Sequence, residues 1–206
     1  MKKAMVVLLA LTFALTLTAC YRNQPVDKKP VIYLYPEEEI QVSVTLDYDG
    51  ELTSTYPAYN NGWTVTARPD GSLTDGNGRE YYCLFWEGEN HAAYDFSEGF
   101  VVNGEETEAF LEEALATLGL TDKEANEFII YWLPHMEDNP YNLISFQNEA
   151  YTESARLNID PVPDSVLRVF MAWKGLSKPV TVEEQILKPF ERIGFTVVEW
   201  GGCEVN

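Results

Sequence analysis

Histidine is scarce in this 206-residue chain: His91 and His135 are the two. That is too few for a multi-histidine metal centre. The three cysteines (Cys20, Cys83, Cys203) show no paired spacing, so a zinc site has no ligand set, and no metal or other cofactor is expected. Nucleophile and phosphate motifs are missing too. No Gly-x-Ser-x-Gly, His-Glu-x-x-His or phosphate-binding glycine loop occurs, and Ser72, Ser97 and Ser165 have no neighbouring histidine. Positive charge is also scarce, with 14 Lys and Arg against 33 Asp and Glu, a net −19. So acidic a surface repels phosphate backbones and anionic headgroups, which argues against nucleic acid as a partner. Cations, basic polypeptides and neutral glycans remain compatible with it. After residue 19 no apolar run reaches the about 20 residues of a membrane span.

What is present begins with the first 20 residues. Met1-Lys2-Lys3 is a short positive start, and Ala4 to Ala19 is an unbroken run of apolar residues and threonines, as in a secretory signal. Leu17-Thr18-Ala19-Cys20 resembles the lipobox of bacterial lipoproteins, in which the cysteine is acylated. Leu17 fits that pattern and fits poorly the small residue that an ordinary signal-peptidase site prefers there. The expectation is a signal peptide over 1–19 and an acylated Cys20, with a flexible tether over 20–29. This places the protein on the extracytoplasmic face of a cell membrane or outer membrane. Loss of Lys2 and Lys3 with the leader would take the net charge from −19 to −21.

A single α+β domain is expected over 30–206, β-rich through 102 and mixed from 103. Val31 to Tyr35, ended by Pro36, reads as a strand buried on both faces. Ile40 to Leu46 alternates, and Asp49-Gly50 signals a hairpin return through Glu51 to Tyr56. Trp63 to Ala67 alternates again before turns at Pro69–Ser72 and Asp75–Gly78. Arg79 to Glu87 reads as one strong strand, with shorter ones near Tyr94–Phe96 and Phe100–Val102. The expectation for this region is an antiparallel meander or sandwich. Asn103 with Glu106, and Thr121 with Glu124, then signal capping boxes for two helices, the first stopped by Gly119 and the second by Pro134. Strands are expected at Tyr141–Phe146, Val166–Trp173 and Phe195–Trp200, and a last helix from Thr181 and Glu184.

Several segments carry a resemblance. Lys29-Pro30-Val31-Ile32-Tyr33-Leu34-Tyr35-Pro36, Leu84-Phe85-Trp86-Glu87-Gly88, Tyr131-Trp132-Leu133-Pro134 and the Gly194–Gly202 stretch GFTVVEWGG are similar to an uncharacterised family of bacterial secreted proteins and lipoproteins. The resemblance implies one evolutionary unit from Pro30 onward and no catalytic residues.

Candidate chemistry is thin. Glu87, His91, Asp95 and Glu98 follow a buried strand, and Glu87 with Asp95 or Glu98 would suit acid/base work such as glycoside hydrolysis. A solvated acidic loop is the plainer account, since such clusters arise by chance in so acidic a chain. His135, just past a helix end, could work with a carboxylate such as Glu137, or could simply complement the helix dipole. Asp70 to Gly78 fails the calcium-loop spacing, since Asp75 and Tyr81 stand where Gly and Glu are required. Tyr56, Tyr59 and Trp63 cluster in a turn, as a glycan- or protein-binding face would, although Trp63 could instead begin a buried strand. An extracytoplasmic setting also permits a Cys83–Cys203 disulfide. The reading reached is a membrane-anchored binding module for a surface polymer or envelope protein, its partners being the membrane, through the lipid, and such a glycan or protein. A glycan hydrolase and a structural envelope protein are the alternatives.

Overall fold

The computed structural model describes residues 26–90 and 92–205. The expected signal peptide, Cys20 and His91 lie outside the described residues. The chain order is β1 (Val26–Tyr35), β2 (Ile40–Tyr48), β3 (Gly50–Tyr56), β4 (Trp63–Ala67), β5 (Leu73–Thr74), β6 (Glu80–Tyr81), β7 (Leu84–Asn90) and β8 (Glu98–Asn103). A 3-10 turn at Gly104–Glu106 leads into α1 (Thr107–Leu118) and α2 (Asp122–Met136). Then come β9 (Tyr141–Phe146), α3 (Asn148–Ser154), β10 (Ala155–Asp160), β11 (Ser165–Leu176), β12 (Glu183–Glu184) and β13 (Thr196–Glu204).

The fold is α+β. One sheet runs β12-β8-β9-β11-β13-β1-β7-β3 and a smaller one β10-β2-β4-β5-β6. The large sheet lies between two cores. On one face Val31, Tyr33, Met171, Trp173, Val198 and Trp200 meet the apolar stripes of α1 and α2. On the other, Ile32, Leu34, Trp86, Phe170 and Val197 meet Val42, Val44, Trp63 and Val65 of the small sheet. Strand alternation therefore sends consecutive residues of β1 into different cores, which is why its apolar run is continuous. β13 lies parallel to β11 and antiparallel to β1. It runs on through Gly201 and Gly202 because backbone is packed tightly there: a Cβ on Gly202 would sit 2.9 Å from the Trp132 ring.

Several expectations are corrected. The chain is already in β1 at Val26, four residues ahead of the expected Pro30, because Asp27 pairs with β7 and Lys28 with β13. Asp49-Gly50 is no hairpin: β2 pairs with β10 and β4, whereas β3 pairs with β7 in the other sheet. A side chain at Gly50 would collide with the Glu89 carbonyl and Tyr48, so the chain crosses between sheets where only glycine fits. The Arg79–Glu87 run is likewise divided between β6 in the small sheet and β7 in the large one. Pro134 does not end α2, which continues to Met136. Asn103 bonds Glu106 side chain to side chain and caps nothing, whereas the Thr121/Glu124 box forms in full. Segment 177–193 is an extended strap rather than a helix. Leu187 and Phe190 pack on the core, and Arg192 bonds Glu124 and the Gly119 carbonyl.

Carboxyl groups buried between the sheets are hydrogen-bonded. Arg168 Nε donates to Glu199 Oε2 (2.6 Å), Nη1 donates to the Ala155 carbonyl (2.6 Å), and Trp86 Nε1 donates to Glu199 Oε1 (3.0 Å). Asp27, fully buried, accepts from Tyr48 Oη (3.0 Å), Asn90 Nδ2 (2.5 Å) and Tyr94 Oη (3.1 Å).

Candidate functional site

Where the edges of the two sheets meet, aromatic side chains converge. Tyr56 of β3, at the edge of the large sheet, packs edge-on against Tyr81 of β6, at the edge of the small one (5.6 Å between centroids). Arg79 lies over both rings and donates from Nη2 to Tyr56 Oη (2.9 Å). Asp75 fixes the loop beneath by accepting from the Arg79 and Asn77 amides and from Tyr81 Oη (3.1 Å). Behind this seam is a groove of about 360 Å3 lined by Lys29, Tyr56, Glu80, Tyr81, Tyr82 and Phe85 among others. Tyr56 and Tyr82 are each about half exposed, at 51% and 52%.

Lys29 is the unusual residue. It sits in a β1 bulge, where pairing with β7 and β13 skips residues, and its φ of +60° is left-handed. That conformation is costly for a residue with a Cβ and is met where a bulge re-aims a side chain. Here the bulge carries the ammonium over Phe85 (5.5 Å) and Tyr131 (5.7 Å). The bulge is held by Glu87, whose Oε1 accepts from the Lys29 amide (3.2 Å). Lys123 extends over Tyr82 (5.9 Å). In a chain of net charge −19, three cations on one aromatic groove make it locally distinct. Ring faces, phenol hydroxyls and cations together suit a ligand with flat apolar faces edged by hydroxyl or carbonyl oxygens.

The residues proposed from sequence are scattered. Glu87 props the bulge, on a strand five strand spacings from β8, about 24 Å away at the usual inter-strand distance. It is therefore not paired with Glu98, which is exposed at the start of β8. Asp95 is turned into its own loop, accepting from the Ser97 amide and hydroxyl (2.9 and 2.8 Å), which lowers its pKa. The 5–10 Å carboxylate separation of a glycosidase is not formed by Glu87 with Glu98. His91 lies outside the described residues. His135 is exposed near the end of α2 against Tyr131 (5.6 Å), with no carboxylate partner among the described residues. No group of three or more metal-ligating side chains occurs among the described residues.

Of the aromatic trio, Tyr56 belongs to the groove. Trp63 is core, 3% exposed, donating from Nε1 to the Pro57 carbonyl (2.8 Å), and Tyr59 packs on it (4.6 Å) while bonding Leu46. Tyr81, Tyr82 and Phe85 were missed because the Arg79–Glu87 run reads as one buried strand, whose contrary signal is two adjacent tyrosines that cannot both face the same core, and Lys29 because it reads as the end of the tether. The Cys83–Cys203 bridge is not formed. Cys83 packs on the helix-facing side of the large sheet and Cys203 on the other, so the sheet separates them. Burial pushes the Cys83 thiol up to about 11.

No protein-family model and no solved structure matches the chain. A stretch of 66 residues is 50% identical to the "Uncharacterized protein in bglA 3'region" of Butyrivibrio fibrisolvens, covering 31% of this chain and 68% of that relative.

Proposed function

The chain belongs to the family of that Butyrivibrio fibrisolvens protein, and from this premise we propose that it is a membrane-anchored extracytoplasmic binding module that holds a surface glycan in the aromatic groove. One observation carries the reading: Tyr56, Tyr81, Tyr82 and Phe85 line one groove with Lys29, whose ammonium a left-handed bulge carries over Phe85. Sugar rings present flat C–H faces to aromatic rings and hydroxyls to cations and phenols, so this surface matches them without a catalytic pair. Glu80 is the one carboxylate among the lining residues.

The placement fits an anchored protein. From Cys20 to Val26 a stretched chain spans about 20 Å. The groove then lies at the Leu84 end of β7, whereas Val26 pairs at the opposite end, with Glu89. The strand from Glu89 to Phe85, roughly 13 Å long, separates the two levels. A lipid on Cys20 would hold the chain by its Val26 end and leave the groove facing outward. Among the described residues no helix is long and apolar enough to cross a membrane.

The test is affinity electrophoresis of the chain through gels containing envelope polysaccharides. The unaltered protein is retarded by at least one of them, and Tyr56→Ala/Tyr82→Ala, at half-exposed positions, loses about tenfold in affinity while its unfolding midpoint holds. Equal retardation of the two proteins would remove the groove from the function. Separately, Cys20→Ala releases the protein from membranes; a variant that still fractionates with lipid would refute the anchor.

A further inference from the structure

At the opposite edge of the large sheet, β8 is covered along part of its length. β12 pairs with Glu98 and Gly99, and beyond Gly99 no described strand lies on that side. The Glu183 amide donates to the Ser97 carbonyl (3.3 Å), which sets the phase of the edge. Backbone groups alternate in direction along a strand, so those of Val101 point away from β9. They open into a groove of about 910 Å3, walled by Phe110 and Ala114 of α1 and by Val180, Val182 and Leu187 of the strap.

We propose that this groove binds an extended cationic polypeptide, which adds as a strand to the free edge of β8. Outward main-chain donors and acceptors at strand spacing recognise another main chain, and apolar walls receive its alternate side chains. The titratable groups lining the groove are Glu113 and Glu184, with no base among them, so the complementary strand carries Lys or Arg. A second copy of this chain would set Glu98, Glu113 and Glu184 against their own kind. The same end of the sheet shows the principle at work. Where β8 stops short of Phe146, the Gln185 side chain accepts from the Phe146 amide and donates to its carbonyl (2.8 Å each), standing in for the missing strand. Among the described residues nothing equivalent reaches Val101. The sheet's other edge, β3, carries a bulge between Leu52 and Ser54, a usual guard against pairing.

The experiment titrates the full chain with three capped peptides: alternating Lys and Val, alternating Glu and Val, and the Lys/Val peptide N-methylated at every second residue. The Lys/Val peptide binds saturably and slows hydrogen exchange at Val101 and at strap residues 180–187. N-methylation keeps the charge but blocks the ladder, and weakens binding about tenfold. Val101→Pro removes the outward N–H, leaves the β9 ladder intact and has a similar effect. Equal binding of the N-methylated or Glu/Val peptide, or protection mapped elsewhere, overturns the proposal. So does self-association that protects Val101 with no peptide present. The N-methylated arm uses the unaltered chain, so the outcome does not depend on Val101→Pro folding.

Discussion

Asp27 should make this protein less stable as pH rises through the mildly acid range. Burial pushes its carboxyl up to about 6 from the ordinary 3.8. The hydrogen bonds from Tyr48, Asn90 and Tyr94 offset part of that cost, and the charge of Glu199 adds to it. A carboxyl raised in the folded state binds its proton more tightly folded than unfolded. Its contribution to stability is therefore fully present below about 3.8 and is lost as pH climbs through about 6. A shift of about two units at 1.36 kcal/mol each makes the loss about 3 kcal/mol between pH 3 and pH 8. Other carboxylates titrate over the same range, so the informative quantity is the difference between the protein and Asp27→Asn, which cannot ionise there. Urea unfolding of both, measured at steps from pH 3 to pH 8, should show that difference shifting by about 3 kcal/mol in favour of the variant as pH rises. Parallel curves for the two proteins would refute the reasoning.

Three further outcomes follow from the interior. Arg168→Met strands Glu199 between the sheets without its cation and should cost about 3–5 kcal/mol in urea unfolding, while Arg168→Met/Glu199→Leu recovers most of it. Equal loss in both variants would show that the pair itself, not the orphaned charge, matters. Thr121→Ala removes the side-chain oxygen that accepts from the Glu124 amide and should cost about 1 kcal/mol, seen as a thermal midpoint lowered by about 2–4 °C. Neither Cys83 nor Cys203 should react with a thiol reagent until the protein unfolds, and reductant should leave the unfolding midpoint unchanged. A Cys83–Cys203 crosslink found by mass spectrometry would contradict the placement of the two on opposite faces of the sheet.

How far the sequence reveals this fold depends on the range of the contacts involved. The Thr121/Glu124 cap, the Gly119 stop and the double-sided β1 are local or purely compositional, and they appear as expected. In β11, Arg168 shares a face with Val166, Phe170 and Ala172. Its partner, Glu199, sits in an equally apolar strand 31 residues later, and two isolated opposite charges of this kind are a readable hint of a buried pair. Asp49-Gly50 misleads because the same dipeptide serves a hairpin and a crossing between sheets. What decides is the Glu89 carbonyl, from a strand remote in sequence. Thr181 and Glu184 carry a helix signature, yet their segment finds more burial as a strap, through Leu187 and Phe190, than an isolated helix would. The bulge at Lys29 leaves no trace in composition, so the groove could be seen only in part, through Tyr56.

The groove itself is a consequence of those crossings. Near the groove the chain passes from β3, an edge strand of the large sheet, to β4, and from β6, an edge strand of the small sheet, to β7. Both passages lie at the Tyr56 end of β3, which pairs with Phe85 near the start of β7. The two edge strands β3 and β6 are consequently brought side by side, and backbone hydrogen bonding cannot join them because they belong to different layers. Side chains must close the seam instead, and Tyr56, Tyr81 and Arg79 do so. Large aromatics that span a gap between layers cannot fill it as a core does, so rings remain half exposed around a hollow, with Lys29 raised into it by the neighbouring bulge. A binding surface at this place needs no insertion and no loop of its own, because the topology supplies the cleft and the sequence has to supply only its lining.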